Sequence, residues 1–148
     1  SADRMLGAMR MVMAGRVYNA RMGQEKRYDI AVSTATQYLA DQSDEGAGRY
    51  VFAYTITIRN PGSVTAQLIS RHWFITDAQG LVQEVRGLGV VGAQPVLRPG
   101  ESFEYTSGTS IATPVGTMRG TYQMVTEGGD HFDVEIAPFA LHEPYTVH

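Results

Sequence analysis

The stretch "RYVFAYTITIRN", residues 49–60, alternates strictly between two kinds of side chain. Tyr50, Phe52, Tyr54, Ile56 and Ile58 fall on one side; Val51, Ala53, Thr55, Thr57 and Arg59 fall on the other. Successive side chains of an extended chain point to opposite faces, so this spacing makes one bulky apolar face and one smaller, more polar face. Aromatic and β-branched residues also suit a pleated, half-buried surface. The segment therefore reads as a strand that covers a core with one face. Asn60-Pro61-Gly62 ends it as a turn.

The same period continues on both sides. Upstream, "YDIAVSTATQYL" alternates Tyr28, Ile30, Val32, Thr34 and Thr36 against smaller or polar neighbours. Downstream, "AQLISRHWFITD" predicts a third strand with Ile69, Trp73 and Ile75 on one side, closed by a turn at Asp77-Ala78-Gln79-Gly80. "LVQEVR" predicts a fourth strand, and "SFEYTSG", introduced by Pro99-Gly100, a fifth. "TMRGTYQMVTE" predicts a sixth that groups Met118, Tyr122 and Met124. After Gly128-Gly129-Asp130, "HFDVEI" predicts a seventh, with Phe132, Val134 and Ile136 opposed to His131, Asp133 and Glu135. Seven short strands with turn signals and no helix predict an all-β, immunoglobulin-like two-sheet sandwich. "LRPGESF" resembles the corner that crosses between sheets in fibronectin type III domains. Phe103 stands there where a tyrosine is common, so no tyrosine-corner hydrogen bond is expected.

The 148 residues fit one domain. A chain of this size buries roughly two-thirds of its unfolded surface, enough for a core without staples. The absence of cysteine excludes disulfides, zinc–thiolate sites and cysteine nucleophiles. Residues 1–25 read as a basic, Met-rich N-terminal segment, expected to be disordered, and residues 26–148 as the sandwich. Five of the seven methionines lie in residues 1–23, with four arginines against one aspartate. Met5, Leu6, Met9, Val12, Met13 and Val17 approach helical spacing, which leaves a membrane- or partner-binding helix as the alternative. Isolated short helices are marginal in water, so a frayed leader is the expectation. The run Met11–Ala14 is too short for a signal-peptide core, and nothing approaches a membrane span. A soluble cytoplasmic protein is expected. After residue 23 the chain holds eight basic and fourteen acidic residues, against the basic excess of nucleic-acid-binding domains.

"VRGLGVVGAQP", residues 85–95, contains a literal G-x-G-x-x-G. A dinucleotide site needs those glycines to open a helix whose free amides hold the pyrophosphate. Gln94-Pro95 follows at once, and a residue before proline is pushed out of the helical region. No helix is expected to start at Gly92. An anion nest remains the alternative, with Gly87, Gly89 and Gly92 as the loop and Arg86 as the nearby cation. The plainer reading is an interstrand loop with positive-φ residues.

Little other chemistry presents itself. His72, His131, His142 and His148 do not pair at zinc-binding spacing, and His131 with Asp133 makes two ligands, short of a site. Glu101, Glu104, Asp133 and Glu135 read as solvated carboxylates. Lys26 is the only lysine, and nucleophile-elbow and P-loop motifs are missing. No catalytic residue, metal ligand or cofactor is expected. Tyr50, Tyr54 and Tyr105 fit core or interface, and Trp73 is expected in the core.

From about Arg49, "RYVFAYTITIRN", "SRHWFIT", "EVRGLGVVGAQPVLRPGESFEYTSG" and "TPVGTMRGTYQM" together resemble the bacterial ApaG family. The resemblance covers most of residues 26–148 and implies a fibronectin type III-like sandwich of seven strands. It implies no catalytic residues. Bacterial members are named from a gene beside a diadenosine tetraphosphate hydrolase and are linked to cobalt and magnesium homeostasis. Related domains in F-box proteins and in a polymerase delta-interacting protein imply adaptor use. The expectation is thus a non-enzymatic binding domain that recruits a protein partner through loops or an exposed strand edge. Phosphate or nucleotide binding, including a dinucleoside polyphosphate, at Gly87–Gly92 is the alternative. A divalent-metal role through His131 and the acidic face is weaker still.

Overall fold

The computed structural model describes residues 28–143. Expectations for residues 1–25, Lys26 and His148 lie outside the described residues. Eight strands form two antiparallel sheets: β1 (Ala31–Tyr38), β2 (Tyr50–Arg59), β3 (Ala66–Asp77), β4 (Val82–Leu88), β5 (Val96–Leu97), β6 (Ser102–Ile111), β7 (Val115–Thr126) and β8 (His131–His142). One sheet has the order β1-β2-β6; the other runs β4-β3-β7-β8, with β5 pairing β3 beyond the end of β4. Two single-turn 3₁₀ helices, Ala40–Gln42 and Glu45–Ala47, join β1 to β2. The strand β5 has no counterpart among the seven predicted, because two residues are too short to show alternation.

The β2 alternation sets the core. Phe52, Tyr54, Ile56 and Ile58 are buried and meet Trp73, Ile75, Met118, Tyr122 and Met124 of the opposing sheet in one cluster. Trp73 is only 2% exposed, as its core assignment requires. One β3 assignment is corrected. Leu68, not Ile69, is fully buried, because a bulge between Leu68 and Ser70 shifts the register. An extra residue in one strand reverses the parity beyond it, so Leu68 and Trp73 face inward although five positions separate them.

The turn after β2 ties the sheets together. The side chain of Asn60, 1% exposed, donates to the carbonyls of Val64 and Leu97, and its Oδ1 accepts from Gly62 N–H. Leu97 lies in β5 of the five-stranded sheet and Ser102 in β6 of the other, so "LRPGESF" does cross between sheets. Phe103 packs against the core, and the buried tyrosine hydrogen bond comes from elsewhere: Tyr105 and Tyr122 share one at 2.6 Å.

The two lateral sides of the sandwich differ. At one, β1 approaches β8: the Thr36 hydroxyl donates to the Ala140 carbonyl at 3.5 Å, and Tyr28 stacks near Phe132 at 4.8 Å. Strand β8 is itself interrupted opposite Arg119, where Pro138 enters and the register shifts. Proline is tolerated at such an edge because it has no ladder donor to lose. At the other side β4 and β6 stand apart.

Candidate functional site

The open side is built from β4, β6 and the segment after Leu88. Strand β4 pairs β3 without a bulge over all seven residues, from Thr76↔Val82 to Ser70↔Leu88. It ends its sheet, and its other edge has no strand partner among the described residues. The hairpin that starts it is fixed by Asp77, whose Oδ1 accepts from the N–H groups of Gln79 and Leu81. Gln83, Val85 and Gly87 share the parity of Trp73 and face the gap; Glu84 and Arg86 share the parity of His72 and face outward.

The glycine motif now has a definite geometry. Arg86 and Gly87 belong to β4, and the loop proper begins at Gly89. Gly89 N–H donates to the Ile69 carbonyl, and Val90 and Ala93 exchange N–H···O bonds at 2.8 and 2.9 Å. Between them Val91 and Gly92 have φ of 43° and 80°. Two positive φ values inside a two-residue turn are the type I′ geometry. The next residues lead to β5, with no helix at Gly92. Gly89 also has positive φ, and a Cβ there would lie 2.3 Å from the Ala93 carbonyl oxygen.

Arg71 holds this loop from beneath. Its Nη1 donates to the Leu88 and Gly89 carbonyls at 3.0 and 2.9 Å. A Cβ on Gly87 would sit 2.7 Å from the same nitrogen, so the absent side chain makes room for the guanidinium. The segment thus presents carbonyls to an arginine, while three of its amides are already bonded. Arg86 goes elsewhere: it is exposed and donates to Glu84 at 3.2 Å. Glu84 also accepts from His72 at 2.5 Å. These two bonds, that from His72 first, hold the Glu84 carboxyl below the ordinary range. Gly87, Gly89 and Gly92 therefore stay together, and Arg86 turns to the outer sheet face.

A cleft of about 390 Å³ opens between the sheets here. Arg71, Trp73, Tyr105 and Ser107 line it with Val85, Leu88 and Val90. The Gln83 side chain, donating to the Ser110 carbonyl at 3.3 Å, makes the one side-chain hydrogen bond from β4 to β6 among the described residues. Burial pushes the Tyr105 hydroxyl up to about 12. Burial also raises Tyr122, as does the neighbouring Tyr105.

Exposed apolar side chains gather at the same place. Leu81, Val82, Val85, Leu88 and Val91 are all exposed, Leu88 by 75%. On β8, by contrast, His131, Asp133 and Glu135 are exposed on the outer face. No group of three or more His, Asp or Glu among the described residues could hold a metal ion. No helix among them is long and apolar enough to cross a membrane.

A family model for the ApaG domain matches residues 40–126. The chain belongs to the ApaG family. The ApaG protein of Thiobacillus denitrificans is 65% identical over 127 residues, covering 86% of this chain and 100% of that protein. The ApaG protein of Nitrosospira multiformis is 61% identical over the same coverage. A crystal structure of an ApaA protein from Bordetella pertussis is 60% identical, covers 82% of this chain and 98% of its own, and superposes with a TM-score of 0.79. The ApaG model spans β2 to β7 and so includes both strands and the loop of the open side.

Arg71 belongs to no recognisable sequence motif. Its signal was in the sequence: Arg71 shares the inward parity of Trp73 and Ile75, and a charged residue there needs a partner inside the sandwich. That partner, the pair of loop carbonyls, could not be found from spacing alone.

Proposed function

We propose that this ApaG chain is a non-enzymatic recognition domain that binds a protein partner by strand addition along β4. The free β4 edge carries the proposal. It is regular, lacks proline and bulges, carries exposed apolar side chains along its length, and its two charges, Glu84 and Arg86, pair with each other on the outer face. Natural edges are usually blunted by charge, proline, bulges or cover, and one without proline, bulge or cover is a template for another strand. An added strand gains main-chain hydrogen bonds from the edge and specificity from alternate side-chain sites. Leu81, Leu88 and Val91 would supply those sites. A link to cobalt or magnesium homeostasis would act, on this reading, through the partner.

The alternative is a phosphate or nucleotide at Gly87–Gly92. The loop supports it less well, since the amides of Gly89, Val90 and Ala93 already donate within the protein. The test pairs two double variants, Leu81→Lys/Leu88→Lys on β4 and Asp133→Lys/Glu135→Lys on β8. In affinity capture from the native cell, one protein retained by wild type should be lost from the β4 variant and kept by the β8 variant. Retention by both would defeat the edge reading.

A further inference from the structure

The cleft beneath the glycine loop has its own chemistry, separate from the free edge. Arg71 is the only charged residue among its lining. No carboxylate pairs with it among the described residues, and only Nη1 of its guanidinium is engaged. Trp73 is 2% exposed, and its Nε1 is the one buried side-chain donor without a partner among the described residues. Its direction follows from the packing. The indole Cε3 would lie 3.1 Å from a Cβ on Gly120 of β7. The opposite, pyrrole edge of the ring, which bears Nε1, therefore lies on the side of β4, beneath the cleft wall. A buried N–H left unsatisfied costs on the order of 1–3 kcal/mol, so an acceptor arriving there is favoured.

The tyrosines add to this. Tyr105 and Tyr122 share a single hydrogen bond between two hydroxyls, and Tyr105 lines the cleft. Two hydroxyls carry two protons, so one bond leaves one proton available. The opening thus holds one positive charge without a counter-ion and no acidic residue, with the buried Trp73 N–H and the tyrosine pair behind its wall. The remaining wall is mixed: Ile75, Val85, Leu88, Val90 and Val91 supply an apolar strip, and Gln83, Ser107 and Thr109 supply neutral polar groups. Small-molecule sites pair apolar surface with convergent polar groups in volumes of roughly 300–1,000 Å³, and this cleft has both. The second depression of similar size, near Gln67 and Val96, lacks this imbalance, since its Arg98 is already paired with Glu101.

We propose that the cleft between β4 and β6 binds a small organic carboxylate with a ring-sized apolar body, its carboxylate toward Arg71. A monoanion matches the single cation. A phosphate dianion would leave a negative charge uncompensated in a partly closed site, at the cost of desolvation. The body would rest on the valines and on the Trp73 and Tyr54 rings. This site does not depend on strand addition at β4.

Trp73 is the only tryptophan, so its fluorescence reports the cleft directly. The probes are phenylacetate, its neutral isostere phenylacetamide and inorganic phosphate, each titrated to about 50 mM against the purified full chain. Phenylacetate should give a saturable change, with phenylacetamide and phosphate at least about ten-fold weaker, as a charge-assisted contact plus an apolar body requires. Arg71→Met should weaken phenylacetate by a similar factor. Because that variant also loosens the loop, Ser107→Phe, which fills the cleft from β6, is the second test and should abolish the response. No saturation by phenylacetate would overturn the proposal. So would equal binding of the amide or of phosphate, or an unchanged response in folded Ser107→Phe.

Discussion

The two lateral sides of this sandwich meet the same problem in opposite ways. Each ends in sheet edges that expose backbone donors and acceptors. On the β1–β8 side the strands draw together through Thr36, Ala140, Tyr28 and Phe132, and β8 carries Pro138, a register shift and exposed charges. On the β4–β6 side the edge is regular, apolar side chains reach solvent, and the interior opens between the sheets. Edges left regular, with apolar side chains in solvent, are an aggregation hazard unless they have a use. The contrast within one small domain is what points to function on the β4 side.

The largest effect expected is at the residue both sides share. Trp73 packs edge-on against Tyr54, Tyr122 and Phe139, so its ring spans from the cleft toward β8. Trp73→Ala should cost about 3–5 kcal/mol in chemical denaturation. An unchanged midpoint would remove Trp73 from the core.

Gly89→Ala comes next. It places a Cβ against the Ala93 carbonyl at a positive φ, so the loop must move. The expected loss is about 1–3 kcal/mol by the same measurement. Gly92→Ala, where a Cβ meets nothing within 4 Å, should cost less. Equal costs would mean that φ alone, without the close approach, sets the loop.

The tyrosine pair offers a subtler break. Tyr105→Phe leaves the buried Tyr122 hydroxyl without its partner and should cost about 1 kcal/mol. The double Phe variant should recover part of that loss. The pair also governs alkaline stability. Its hydroxyls titrate above their unfolded value of 10.0, with Tyr105 near 12, because burial disfavours the phenolates. Their contribution is therefore complete below about pH 10 and is lost as pH rises from there through the folded values. Denaturation midpoints measured from pH 9 to 12 should fall more steeply in wild type than in the double Phe variant.

The smallest effect is at the outer face of β4. Glu84 is held below its ordinary 4.5 by His72 and Arg86. A depressed carboxyl stabilises above its unfolded value and loses that contribution as pH falls through the folded one. Glu84→Gln should flatten the acid limb of stability below about pH 4.5 by a small amount, since the pair is exposed. An acid limb identical to wild type would mean that the His72 and Arg86 bonds do not persist in solution.

These contrasts also mark what the sequence could tell. The β2 alternation was sufficient for its face, because Phe52, Tyr54, Ile56 and Ile58 obey the period without interruption. Ile69 was misassigned because a bulge leaves no mark on spacing: the parity changes while the apolar residues look continuous. The G-x-G-x-x-G was legible, through Pro95, as an interstrand loop with no helix at Gly92, but its reason lay 16 positions away, in Arg71 against Gly87. The open side itself could not be read. Which edges diverge depends on how two sheets pack, and local pattern does not encode that.

The central claim is that recognition occurs on the β4–β6 side. A photo-crosslinking residue placed at Leu88, on the open edge, and separately at Asp133, on β8, tests it in living cells. Both positions are exposed, so neither substitution should shift stability by more than about 0.5 kcal/mol. The account predicts a discrete protein adduct from position 88, lost when Leu81→Lys is added, and none from position 133. An adduct from 133 with none from 88 would contradict it.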